Sequence, residues 1–137
     1  MGIVYAEITL KNSNDVSKAD EGIIKESEIR QVAVRAMVDT GAGSLVINEE
    51  MRTKLGLAVR GLRQATFAND AKEICKVTEP VAIYWNDRYT AVPAWVIPAS
   101  SEVLFGAIPL EDMDLIVDPA RQMLIGAHGD EIVSLIK

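Results

Sequence analysis

The sequence predicts an all-β, barrel-like domain with one or two short helices. Three observations lead there. Apolar residues alternate at period two over most of the chain, short strand-like segments recur between Gly, Pro and acidic turns, and a single stretch carries a full set of helix start and stop signals. The first strand is visible in Val4, Ala6, Ile8 and Leu10, which alternate with Tyr5, Glu7 and Thr9. Lys11 to Gly22 carries Asn, Ser, Asp and Gly without periodicity and reads as an exposed, mobile loop. From Ile23 to Val38 β-branched residues return, with Val32, Val34, Ala36 and Val38 on one face and Gln31 and Arg35 on the other. That strand runs directly into Asp39.

After the Gly41-Ala42-Gly43 break, the continuous run Leu45-Val46-Ile47 suits a strand buried on both faces. Asn48 is placed to cap a brief helix from Glu49 to Leu55, with acids in its first turn, Lys54 in its last and Gly56 at its stop. Two hairpin turns follow, at Asn69-Asp70 and Asn86-Asp87, because these residue types tolerate left-handed backbone angles. Val81, Ile83 and Trp85 alternate, as do Val92, Ala94 and Val96, and Pro93 and Pro98 put the second of these strands at an edge or a bend. Val103 to Phe105, Leu115 to Val117, Met123 to Ile125 and Ile132 to Ile136 complete the set of short apolar segments. A strand, a glycine turn, an apolar step and an acidic helix-like stretch occur at Val38 to Met51 and recur at Leu104 to Met113, the pattern of a two-fold pseudo-repeat.

A chain of 137 residues, 49% hydrophobic, supports one core, so residues 1–137 are expected to form a single domain. A net charge of -6 removes counterion release as a driving force and argues against a nucleic-acid partner. No apolar run approaches the roughly 20 residues that span a bilayer, and Ala6 stands where a myristoylation signal needs Ser or Thr. The expectation is a soluble, cytoplasmic protein without a membrane partner. Cys75 has no second cysteine to pair with, which suits a reducing compartment, and it reads as a small, half-buried apolar residue.

Asp39 carries the chemistry. A carboxylate at the end of a buried strand, followed by Thr40 and Gly41 in a tight turn, is held with its oxygens toward the space above the strand. Thr40 and Ser44 add hydroxyls that can orient neighbouring groups.

The segment Ala36-Met37-Val38-Asp39-Thr40-Gly41-Ala42 resembles the catalytic signature of retropepsin-like (clan AA) aspartic proteases, in particular their bacterial single-domain members. Leu45-Val46-Ile47 after the motif and Leu104-Phe105-Gly106 ahead of a short helix are similar in place and kind, as is Leu115-Ile116-Val117-Asp118-Pro119 near the end. The resemblance runs from Tyr5 to Ile125 and implies a closed β-barrel or sandwich acting as a homodimer. It further implies an aspartic endopeptidase with Asp39 as catalytic acid, Thr40 locking two loops across a dimer axis, and Gly41 forming the turn. Ala42, Gly43 and the flap-tip residues Phe67, Ala68, Asn69 and Asp70 would contact a polypeptide substrate, and no metal or cofactor would be needed. The terminal strands Ile3 to Leu10 and Ile132 to Ile136 would build the dimer sheet, as similar segments do in retroviral members. Three departures accompany the likeness: Gly43 and Ser44 replace the acid or Thr and the apolar residue that many members carry after this turn, Gly106-Ala107-Ile108-Pro109 lacks the Arg of retroviral members, and the flap has no glycine.

Hydrolysis by this route uses one carboxylate as base toward water and a second, protonated one as acid toward the carbonyl oxygen, so one motif per chain implies two chains. The same fold also serves as a non-proteolytic dimeric binding module, and a small-molecule-binding barrel would instead be a monomer. Other features have plainer readings. Gly41-Ala42-Gly43-Ser44 lacks the Lys of a phosphate-binding loop and is separated by a strand from the next helix. Glu111, Asp112 and Asp114 match no calcium-loop spacing and read as a solvated face, and His128 beside Gly129 reads as a loop residue. Trp85, Trp95 and Phe67 read as core or flap packing.

Overall fold

The computed structural model describes residues 2–98 and 101–136. In chain order its elements are β1 (Val4–Asn12), α1 (Ser13–Asp20), β2 (Gln31–Val38), β3 (Leu45–Asn48), α2 (Glu49–Leu55), β4 (Val59–Thr66), β5 (Lys72–Trp85), β6 (Arg88–Ile97), β7 (Leu104–Phe105), α3 (Ala107–Asp112), β8 (Leu115–Asp118) and β9 (Met123–Gly126), with a single 3-10 turn at Glu26–Glu28. The strands of the main sheet lie in the order β1-β2-β7-β3-β6-β5-β4, and β1 also pairs with β5. That second pairing closes six strands into a barrel and leaves β4 attached outside the ring through β5. β8 and β9 form a separate hairpin. The all-β, closed-barrel expectation is met.

Period two decides what fills the barrel. Ile8 and Leu10 of β1, Ala36 of β2, Leu45 and Ile47 of β3, Val81 and Ile83 of β5, Ala94 of β6 and Phe105 of β7 are buried in one cluster. α2 forms as its signals require. The Asn48 side chain accepts from the Met51 amide, and Gly56, at φ 62°, ends the helix while the Leu57 amide donates back to the Arg52 carbonyl. The two hairpins turn where expected, with Asp70 at φ 63° and Asn86 at φ 51°.

Four expectations need correction. Residues 13–20 are helical. Asn12 caps α1 by accepting from the Asp15 amide, and buried Asp15 accepts three hydrogen bonds from Arg30, so the segment is fixed by polar contacts that leave no apolar period to detect. The strand expected from Ile23 begins only at Gln31, because the 3-10 turn occupies part of the intervening stretch. Of the two readings of β6, edge or bend, the edge fails: β6 lies between β3 and β5, and Pro93 is accommodated opposite Pro80, where the β5–β6 register shifts and neither residue has an amide to donate. Ile132 to Ile136 is not a strand within this chain, and Leu135 and Ile136 stand more than nine-tenths exposed.

Candidate active site

Asp39 follows the last residue of β2 and starts the loop that crosses to β3. The two-residue strand β7 is wedged between those strands, parallel to β2 and antiparallel to β3, so the loop must arch over its end. The arch is held almost wholly by backbone hydrogen bonds. The Asp39 amide donates to the Phe105 carbonyl at 3.0 Å, and the Ala42 amide donates to the Asp39 carbonyl at 3.0 Å. The first amides of α3, which lack partners inside their own helix, donate to the loop instead: Ala107 to the Ala42 carbonyl at 2.8 Å and Ile108 to the Gly43 carbonyl at 3.1 Å.

This closeness explains Gly106. A Cβ at that position would lie 2.1 Å from the Ser44 carbonyl oxygen and 2.6 Å from that of Ala42, so the space admits only glycine. The recurring strand-and-glycine pattern at Leu104 to Met113 is therefore the structural support of the Asp39 loop.

One oxygen of the Asp39 carboxylate, Oδ1, accepts from the Gly41 amide at 2.9 Å, while Oδ2 has no partner among the described residues. The side chain, half-buried, lines a groove of about 1000 Å³. Gly41, Ala42 and Gly43 lie beside it, and Phe67 and Ala68 close it from the β4–β5 hairpin. Asn69 lines an adjoining hollow of about 560 Å³ with Phe67 and Ala68. Asp70 lines neither; it shapes the hairpin tip, its amide donating to the Phe67 carbonyl at 2.9 Å. Thr40 is exposed, lines neither cavity, and its hydroxyl makes no hydrogen bond among the described residues.

Sequence reasoning missed the walls. Val46, Trp95, Leu104 and Ile108 give the groove its apolar lining, and Arg63 and Gln64 of β4 contribute polar groups. Only strand register, invisible without pairing, could have assigned them. Cys75 is buried and also lines the groove, and burial together with the Glu73 charge raises its thiol pKa, which keeps it protonated near neutral pH.

Away from the groove, Asp114 is buried, not part of a solvated face. Its carboxylate accepts from the Val133 amide at 3.0 Å and from His128 Nδ1 at 2.7 Å, contacts that hold the carboxyl pKa below the usual range. Buried Arg88 donates to the Met113 and Asp114 carbonyls nearby. Among the described residues no cluster of three or more His, Cys, Asp or Glu side chains is arranged to hold a metal ion, and no helix is long and apolar enough to cross a membrane.

Comparison with known proteins agrees with this geometry. Residues 26–128 match the sequence profile of a family described as aspartyl protease. The retroviral protease-like domain of Ddi1 from Leishmania major superposes with a TM-score of 0.55 at 16% identity, over 90% of this chain and 87% of that one. A retropepsin-like aspartic protease from Rickettsia conorii gives 0.53 at 18% identity, over 85% of this chain and 77% of that one. No curated protein matches by sequence. The barrel is the fold of both solved structures. The profile spans well over half of the chain and includes the Asp39 loop, the groove and the Gly106 support: the chain belongs to the aspartyl protease family.

Proposed function

We propose that the chain is an aspartic endopeptidase that works as a homodimer of single-domain subunits, each contributing Asp39 to one catalytic pair. One observation carries this. Among the described residues Asp39 is the only carboxylate lining the groove and its Oδ2 has no partner, yet peptide hydrolysis needs two carboxyls that share one proton. A second copy supplies the missing group. Two carboxyls within hydrogen-bonding distance resist double ionisation. One therefore acts as base toward the attacking water while its protonated partner donates to the carbonyl oxygen.

In this reading Gly41 keeps Asp39 oriented, Thr40 uses its unpaired hydroxyl across the dimer axis, and Ala42 and Gly43 form the floor beneath an extended polypeptide. Phe67, Ala68, Asn69 and Asp70 close over it, and the exposed Leu135 and Ile136 with the chain's first strand supply subunit contacts. Unpaired Cys75 supports a reducing, cytoplasmic setting.

The test is digestion of a peptide library by wild-type and Asp39→Asn protein from acidic to neutral pH, read by mass spectrometry, with sedimentation at micromolar concentration. Cleavage should fall by about 10³-fold or more in the variant, since it loses acid–base catalysis, while the dimer persists. If the wild type dimerises but cuts nothing, the chain is a dimeric binding module of the same fold. If it is a monomer, the shared pair is excluded.

A further inference from the structure

We infer that Arg63 is a specificity determinant: it takes a Glu or Asp side chain of the polypeptide bound in the groove. This rests on the proteolytic reading above and assigns part of its substrate preference.

The chain has seven arginines. Six have an evident occupation. Arg30 pairs with Asp15, Arg52 with Glu49, Arg60 with Glu79 and Arg121 with Asp118. Arg88 is bonded to backbone carbonyls, and Arg35 lies over the Tyr5 ring at 4.4 Å. Arg63 makes no ion pair and no side-chain hydrogen bond among the described residues, in a chain whose Asp and Glu outnumber its Lys and Arg by 20 to 14. Among the described residues it is also the only cationic one in the groove lining, where Asp39 is the only anionic one.

Register sets its direction. Arg63 on β4 pairs with Cys75 on β5, and residues directly opposite in an antiparallel pair share a face. Cys75 is buried and lines the groove, so Arg63 projects from the groove side of the hairpin. Its neighbour Leu62 alternates to the other side and is 67% exposed. Arg63 stands four positions before Phe67, or about 13 Å along the strand, so the acidic residue it meets is displaced from the bond being cut.

The chemistry favours a carboxylate. A guanidinium offers a planar fork of donors that matches two carboxylate oxygens, and the surrounding groove is largely apolar, so a bound peptide shields the pair from water. The net charge of -6 gives acidic peptides no long-range attraction, and at physiological ionic strength interactions beyond about 8 Å are screened. Discrimination is therefore local to Arg63.

The experiment is a positional-scanning decapeptide library in which Glu is exchanged for Gln at each position, presented to wild-type protein and to Arg63→Glu. For wild type, Glu at one position should raise kcat/KM about tenfold over Gln. Arg63→Glu should lose that preference and favour Lys at the same position, with Tm unchanged because the residue is exposed. No acidic preference in the wild type, or the same preference in Arg63→Glu, overturns the inference while leaving proteolysis intact. If the wild type cuts nothing, the proteolytic reading fails by itself, and fluorescence anisotropy with the labelled Glu and Gln peptides then decides Arg63. Tighter binding of the Glu peptide that is lost in Arg63→Glu supports it; equal binding, or none, overturns it.

Discussion

Around Asp39 the loop is tied to β7 and α3 through four backbone hydrogen bonds of 2.8 to 3.1 Å, counting the bond from the Ala42 amide within the loop itself, and Gly106 leaves no spare volume beneath it. The β4–β5 hairpin on the other side of the groove exposes nearly every residue of β4 and joins the barrel through β5 alone. Both regions line the same space. The proposed function accounts for the difference. Under it, a carboxylate that must meet a partner in one geometry is fixed by close-packed backbone, whereas a cover that admits a chain must open at low cost, which sparse burial permits.

The firmest way to break the floor is Gly106→Ala. Its Cβ would collide with backbone on both sides, which cannot rotate away, so unfolding free energy should fall by about 3 kcal/mol or more in urea denaturation. Activity should vanish even in the fraction that folds, because the Asp39 loop must shift to make room. A fully active, equally stable variant would show that the packing under Asp39 is not what fixes it.

A smaller loss should follow from Asp15→Ala, which removes the support of α1 and leaves both groove walls alone. Asp15 accepts from the Arg30 amide and guanidinium, and a stability loss of about 2 kcal/mol at pH 7 is expected without change in kcat. Those hydrogen bonds lower the Asp15 pKa in the folded state. Its contribution is therefore complete above the unfolded value of about 3.9 and is lost as pH falls through the lower folded value. Acid titration of wild type and variant should converge below that window; curves that stay parallel would rule out the linkage.

The comparison is sharpened, at no cost in stability, by hydrogen exchange. The amides of Phe67 and Asp70 in the hairpin tip and those of Asp39 and Ala107 in the floor are all bonded at 2.8 to 3.0 Å. Bond length alone would protect them equally. We expect the tip amides to exchange at least about 100-fold faster, because they open locally while the floor opens only with the barrel. Equal rates would make the hairpin as rigid as the loop it covers.

What could be read from the sequence was whatever local physics decides. Alternation placed β1 and β2, a continuous apolar run placed β3, capping signals gave α2 from Glu49 to Leu55, and Asn69-Asp70 and Asn86-Asp87 marked both turns. The Asp39 motif was legible because a strand end, a carboxylate and glycines are contiguous. α1 was not, since its stability comes from Arg30, 15 residues beyond Asp15. Nor was the central place of β6, because the proline that suggests an edge meets another proline across a register shift.

The sequence by itself thus determined most of the strands, both hairpin turns and the position of Asp39 at a strand end before a glycine turn, all consequences of side-chain period and backbone preference within a few residues. Only the tertiary structure decided that β1 pairs on both sides to close the barrel, that Gly106 must be glycine to let Ala42 and Ser44 approach, and that Arg63 faces the groove opposite Asp39's loop. Those facts depend on contacts between residues tens of positions apart, whose pairing is set by the burial of the whole core and leaves no periodic trace in any one segment.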